Sequence, residues 1–239
     1  MENVTFSAYI TNLGKYNEGE LIGEWVDFPI SRQGFDQVLD RIGIDDEYEE
    51  WFVTDYECNL KGFDWSELGE YTSYEELEEF GELVDSIDDV ESVDNAYEIT
   101  GNLEEAMTGL ENGDIQFYPG VSTDSDLGYY FVEEFGGVEQ LDRNTIESYF
   151  DYEKLGRDLG FDEYETENED GEEEYVSAGE YWCGDEDASD TEIGEAFVEN
   201  VGFDGVGNAG DYFNYESYGR DIRFESGGGF TSDGFVMRY

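Results

Sequence analysis

Carboxylates are the abundant reactive group of this chain: 65 Asp and Glu stand against 10 Lys and Arg, and His is absent. Without imidazole there is no Ser–His–Asp triad, no Cys–His pair and no His metal ligand. Acid–base work by paired carboxylates stays open. With this many acids, however, some pair always stands at a catalytic spacing, so any given pair is expected to be solvated surface. Asp185, Asp187 and Ser189 occupy the first three ligand positions of a calcium loop, but the sixth position, which needs Gly, is Asp190, and the twelfth, which needs Glu, is Ala196. Only loose cation attraction is expected there. Gly205-Val206-Gly207-Asn208-Ala209-Gly210 matches G-x-G-x-x-G, yet a helix-like segment (Ile193–Val201) precedes it where a dinucleotide fingerprint needs a strand. A flexible loop is expected instead. Cys58 and Cys183 share no metal-like spacing and read as two unrelated reduced thiols of a cytosolic protein, a disulfide being the minority option. The expectation is a chain without catalytic residues, metal or cofactor.

The formal net charge of −55 selects partners. Its average field repels nucleic acid, anionic membranes and phosphorylated ligands, and attracts strongly basic surfaces. Aromatic residues make up 17% of the chain, which disordered acidic chains avoid, so a folded core with charge on the outside is expected. Two accounts of the charge stand side by side. One is a surface that imitates a polyanion. The other is adaptation to high salt, which suits a chain whose only lysines are Lys15, Lys61 and Lys154. Composition does not separate them. No stretch approaches the ~20 apolar residues of a membrane span, and the N-terminus lacks a basic and apolar leader pattern, so a soluble cytoplasmic protein is expected.

The elements that must carry this charge follow from periodicity. Residues 4–10 and 21–28 predict strands joined by a loop at Asn12–Gly19. Ser31 caps a helix with Phe35, Val38, Leu39 and Ile42 on one face, stopped at Gly43, and residues 51–56 predict a third strand. This first α+β unit spans 1–64. A mainly helical unit spans 65–117. There Ser73 and Glu76 have capping-box spacing, and Leu77, Phe80, Val84 and Ile87 form an apolar stripe. The opposite face carries Glu75, Glu79, Glu82 and Asp85. Like charges at such spacings cost roughly 0.2–0.5 kcal/mol per pair, so they are either used or screened by salt. Asn102 and Glu105 repeat the capping spacing before Leu103, Met107 and Leu110.

An internal repeat follows. Tyr149–Phe161 reads YFDYEKLGRDLGF and Tyr212–Phe224 reads YFNYESYGRDIRF. Each is preceded by a helix-like segment, Phe131-Val132-Glu133-Glu134 in the first copy and Phe197-Val198-Glu199-Asn200 in the second, and each is followed by strand-like residues. The copies are placed at 118–184 and 185–239, with 162–174 an exposed acidic loop expected to be disordered. Arg157 beside Asp158, and Arg220 beside Asp221, put rare cations at equivalent positions and suggest a fold-holding ion pair or hydrogen-bonded junction.

These residues resemble the ArdA-type antirestriction proteins. The opening matches the family pattern at Tyr16, Asn17, Gly19, Leu21, Gly23, Trp25, Val26 and Asp27; EEWFVTDYEC with LGEYTSYEELEEF resembles its middle; YFDYEKLGRDL resembles its C-terminal signature. The resemblance implies an elongated α+β chain of small domains, usually homodimeric, whose acidic surface imitates bent duplex DNA. Such a protein occupies the DNA-binding groove of type I restriction–modification enzymes and protects incoming foreign DNA of a mobile element or virus, without catalysis or cofactor. The helical faces then nominate Glu75, Glu79, Glu82, Asp85, Asp88, Asp89, Glu104, Glu105, Glu133 and Glu134 as mimic surface. Tyr16, Asn17, Gly19, Trp25, Asp27, Arg157, Asp158, Arg220 and Asp221 are its structural signature. With one charge per ~1.7 Å of duplex, the net charge corresponds to at most about 94 Å, roughly 28 base pairs. The second signature copy departs from the family, and either lengthens the mimic or takes the place of a dimer contact within one chain. The rival class is a salt-adapted acidic protein that sequesters another basic DNA-binding partner; a carboxylate-based hydrolase ranks third.

Overall fold

The computed structural model describes residues 4–63, 68–168 and 170–239. In chain order the elements are β1 (Phe6–Asn12), α1 (Leu13–Asn17), β2 (Gly23–Phe28), α2 (Arg32–Arg41), β3 (Trp51–Cys58), α3 (Tyr74–Asp85), α4 (Val90–Thr100), α5 (Leu103–Asn112) and β4 (Ile115–Pro119). There follow α6 (Asp124–Glu134), α7 (Arg143–Tyr149), α8 (Tyr152–Leu159), β5 (Tyr164–Glu167), β6 (Glu173–Val176), α9 (Ala178–Cys183), α10 (Asp190–Val201), α11 (Tyr215–Ser226), β7 (Gly229–Phe230) and β8 (Gly234–Arg238). The fold class is α+β, with small antiparallel sheets and many short helices.

Two compact units result: residues 1–120 together with 228–239, and residues 121–227. The four sequence units are thus grouped differently from expectation. The expected boundary at 64/65 lies outside the described residues. On either side of it, one core joins Phe6, Ile10, Val26, Phe35 and Val53 to Leu77, Val84, Tyr97, Leu103 and Ile115. Each fully buried side chain of this kind contributes about 1.5–3 kcal/mol, which favours one shared core over two small ones.

In the first unit, β1 is the central strand of the order β2-β1-β3. Its alternation places Phe6, Ala8 and Ile10 in the core and Ser7 and Tyr9 towards solvent. Ser31 caps α2 through the Gly34 N–H, and Gly43 ends it in the left-handed region at φ +78°. The segment expected as a loop holds the one-turn helix α1. The buried Asn12 side chain accepts from the Lys15 N–H at 3.0 Å and donates to the Ile42 and Gly43 carbonyls, so one amide fixes the start of α1 and the end of α2.

The last strand corrects the placement of the second copy. β8 is the middle strand of the order β4-β8-β7, with Phe235 and Val236 fully buried. Val236 joins the core of the first unit. The strand-like end of copy two therefore belongs to the first unit, because its apolar run completes β4 rather than its own repeat.

The second unit is built by exchange between the copies: α6 packs on α11 and α8 on α10. Its core comprises Val132, Val138, Ile146, Phe150, Leu155, Val198, Val206, Ala209 and Phe213. Two further expectations fail here. Tyr164–Glu167 and Glu173–Val176 pair as the β5–β6 hairpin within the stretch expected to be disordered. Tyr164 stacks on Tyr181 at 4.9 Å and meets the edge of Trp182 at 5.7 Å, and the Asn168 side chain accepts from the Asp170 and Glu172 N–H groups in the turn. Similarly, the G-x-G-x-x-G segment links two short 3₁₀ turns, Phe203–Gly205 and Ala209–Tyr212, with Val206 and Ala209 buried, and is not a flexible loop.

Candidate functional site

The acidic face of the first unit is carried by α3. Ser73 and Glu76 close a capping box around its start, and Leu77, Gly81 and Val84 are buried on one side. That fixes the rotation of the helix, and Glu75, Glu79, Glu82 and Asp85 consequently stand exposed on the other. Asp88 and Asp89 in the turn to α4 are exposed, as are Glu104 and Glu105 in the first turn of α5. In the second unit Glu133 and Glu134 are exposed at the end of α6. All ten nominated acids are therefore solvent-facing.

They are not equivalent. Glu75 pairs with Arg32 at 3.5 Å and Glu105 with Arg238 at 2.6 Å. Asp89 caps α4 by accepting the Ser92 N–H. The Asn102 side chain caps α5 through the Glu105 N–H, but the Glu105 carboxylate leaves the box for Arg238, so the second capping spacing is only half used. Four of the others oppose local electrostatics. Glu82 and Asp85 occupy the last turn of α3, and Glu133 and Glu134 that of α6, where the helix dipole favours cations; neither turn contains one. No described Lys or Arg forms an ion pair with Glu79, Glu82 or Asp85. The cations are engaged elsewhere, for example Arg41 with Glu24 at 2.7 Å and Arg143 with Glu147 at 2.6 Å, while Lys154 donates to the Asp211 carbonyl at 2.7 Å.

An open cleft of about 740 Å³ adjoins this face. Phe80, Leu83 and Leu103 supply apolar lining, and Glu76, Glu79 and Glu104 supply carboxylates. The Ser73 N–H and hydroxyl hold the Glu76 carboxyl below the usual carboxylate range. Such a cleft suits an aliphatic stem with a cationic head.

The signature residues make contacts within the fold. Tyr16 stands edge-on to Phe52 at 5.2 Å, Asn17 ends α1, and Gly19 has φ +89°. Trp25 meets Tyr9 at 5.4 Å, and Asp27 accepts from the Ser7 hydroxyl at 2.7 Å. Arg157 does not pair with Asp158: it reaches Glu153 at 2.8 Å and Asp190 at 3.7 Å. Asp158 instead accepts from the Tyr212 hydroxyl at 3.1 Å, and Asp221 from the Tyr149 hydroxyl at 2.9 Å; Arg220 lies 3.9 Å from Asp221. Burial, and then the Asp221 carboxylate, push the Tyr149 hydroxyl up to about 12, so it remains a donor. The expected junction exists, but its working pair is Tyr–Asp across copies. Missed by sequence reasoning were these tyrosines and the bidentate Arg223–Asp124 pair at 2.7 and 3.1 Å. Asp124 opening a helix opposite the rare Arg223 was the available signal.

Asp185 accepts the Asp187 N–H, and Ser189 caps α10 with Glu192, so the calcium-like acids form a turn and a capping box. Among the described residues no three Cys, Asp or Glu converge as metal ligands. Burial pushes both the Cys58 and Cys183 thiols up, away from thiolate. No described helix is long and apolar enough to cross a membrane.

No curated protein matches the chain. A family model described as antirestriction protein (ArdA) matches residues 8–174, from β1 into β6, which leaves the second repeat copy beyond the match. That span is well over half of the sequence and contains the opening, middle and first-copy signatures together: the chain belongs to the ArdA family of antirestriction proteins.

Proposed function

We propose that the chain is a non-enzymatic DNA mimic that occupies the DNA-binding groove of a type I restriction–modification enzyme. The observation that carries this reading is the placement of carboxylates at Glu82, Asp85, Glu133 and Glu134, on helix ends where the dipole disfavours them and no described Lys or Arg pairs with them. A surface shaped for stability alone would place cations there. A groove evolved to bind phosphates supplies them in trans, with counterion release as the driving term. The cleft beside Glu79 and Glu104 accepts a Lys or Arg side chain from that groove.

The deciding measurement is restriction and methylation by a purified type I enzyme with titrated inhibitor and duplex DNA. Inhibition competitive with DNA, weakening steeply as salt rises, is expected. The triple variant Glu79→Gln, Glu82→Gln, Asp85→Asn should weaken it about tenfold while keeping the fold. An enzyme left untouched, by a protein that itself needs molar salt to fold, would instead favour the salt-adapted acidic protein that sequesters another basic partner.

A further inference from the structure

The sheet β2-β1-β3 of the first unit has two unlike faces. On the core face α2 packs Phe35 against Phe28 at 6.1 Å, and α3 packs Phe80 against Phe6 at 4.7 Å. The opposite face meets solvent, where an antiparallel sheet ordinarily turns polar. Here it is aromatic along its middle. Register sets Trp25 beside Tyr9 and Phe52 beside Thr11. Trp25 meets Tyr9 edge-on at 5.4 Å, while Tyr16 and Tyr71 close over Phe52 at 5.2 and 6.4 Å. Phe52 is buried as a result, yet Trp25, Tyr16 and Tyr71 remain 44%, 50% and 73% exposed. Carboxylates border these rings. Asp27 and Glu57 flank Ser7 in one row, and Asp55 flanks Tyr9 in the next. A bulge in β3 makes Thr54 the extra residue opposite Tyr9, and its hydroxyl meets that of Thr11 at 2.8 Å, so Thr54 and Asp55 stand on the same face. Beside the bulge a pocket of about 140 Å³ opens between Asp55 and Glu70. The Glu70 carbonyl accepts the Val53 N–H at 2.8 Å, which fixes that wall to the edge of β3. No described Lys or Arg pairs with Asp27, Asp55, Glu57 or Glu70.

We propose that this face docks an extended, arginine-bearing segment of a protein partner. A guanidinium stacks on an exposed ring and also forks onto carboxylates, and this face offers both within one surface. One arginine lies over Trp25 and another enters the Asp55–Glu70 pocket. Strands β2 and β3 are two spacings apart, about 10 Å. Arginines three residues apart on a polyproline-II segment share one side and stand about 9 Å apart, so they reach both places. Other occupants fit less well. The carboxylates repel a nucleic acid that would stack its bases on the rings, and a second copy of the chain would set like charge against like. The face lies across the sheet from α3 and does not rest on the DNA-mimic reading.

The test is calorimetric titration of the full chain in about 1 M salt, where the Debye length of ~3 Å removes diffuse attraction to the polyanion. The probes are a peptide of three Arg-Pro-Pro repeats and its Lys counterpart. The Arg peptide is expected to bind one to one, about fivefold tighter than the Lys peptide, which can neither stack nor fork in the same way. The double variant Asp55→Asn, Glu70→Gln changes only exposed side chains and should weaken binding about tenfold. Trp25→Ala should weaken it about fivefold. The α3 variant Glu79→Gln, Glu82→Gln, Asp85→Asn should leave it unchanged. In nuclear magnetic resonance spectra the Trp25 indole N–H should shift on saturation while those of Trp51 and Trp182 stay in place. That shift decides the role of the ring if Trp25→Ala does not fold. No binding of the Arg peptide, equal affinity for both peptides, undiminished affinity in the Asp55 and Glu70 variant, or an unmoved Trp25 signal each overturns the proposal.

Discussion

Helices α3 and α11 are both 12 residues long, yet they are held in opposite ways. α3 buries Leu77 and Val84 in a large mixed core, has a full capping box and lacks a base in its last turn. α11 buries only Gly219, has Arg223 in its last turn, and approaches α6 backbone to backbone. Side-chain volume secures the first and the lack of it secures the second. A helix anchored by volume leaves its outer face free, and α3 is where unpaired acids accumulate. A helix anchored by closeness has little such freedom, since its neighbour must also be small at the crossing.

The contrast can be broken from either side. Leu77→Ala should cost about 2–5 kcal/mol in chemical denaturation, the range for a cavity at a fully buried leucine; a value under 1 would mean that α3 is not held by volume. Gly219→Ala should cost about 1–3 kcal/mol, because its methyl meets the Asp124 carbonyl, which cannot swing aside as a side chain can. Hydrogen exchange at α6 and α11 amides would report the loss, and unchanged protection would defeat the crossing as described. Ser73→Ala should cost about 1 kcal/mol through the lost cap.

The partner of that cap titrates. Glu76 is held below its ordinary value by Ser73, so its contribution is present above the unfolded pKa and disappears as pH falls through the folded one. Glu76→Gln should therefore lower the melting temperature at about pH 7 and leave it unchanged at about pH 2; an equal loss at both would assign the effect to shape rather than charge. The smallest effect is expected for Gly207→Ala, within about 0.5 kcal/mol, because the position is open and its backbone ordinary, unlike Gly219.

What could be read in advance tracks the distance over which the cause acts. The cap at Ser73, the Leu77–Val84 stripe and the end of α2 at Gly43 are local, and residues within four positions determine them. The outward direction of Glu79, Glu82 and Asp85 followed from that stripe. The engagement of Glu75 by Arg32 and of Glu105 by Arg238 did not, since those partners come from distant elements and any of many acids was available to each cation. The β5–β6 hairpin was hidden because acids swamp the alternation, while the tyrosine and tryptophan that anchor it come from α9. The repeat itself was legible, but not that its halves would pair crosswise, because a repeated sequence does not say whether like elements meet or exchange.

The strand order β4-β8-β7 has a consequence for the order in which this protein is made. β4 leaves the ribosome long before β8, and at about 5–20 residues per second the wait is on the order of ten seconds. The whole repeat pair emerges within that interval and can close first, while β4 waits with an open edge, the kind of edge through which nascent chains on one message stick together. The dense negative charge of the chain holds sister chains apart during that wait.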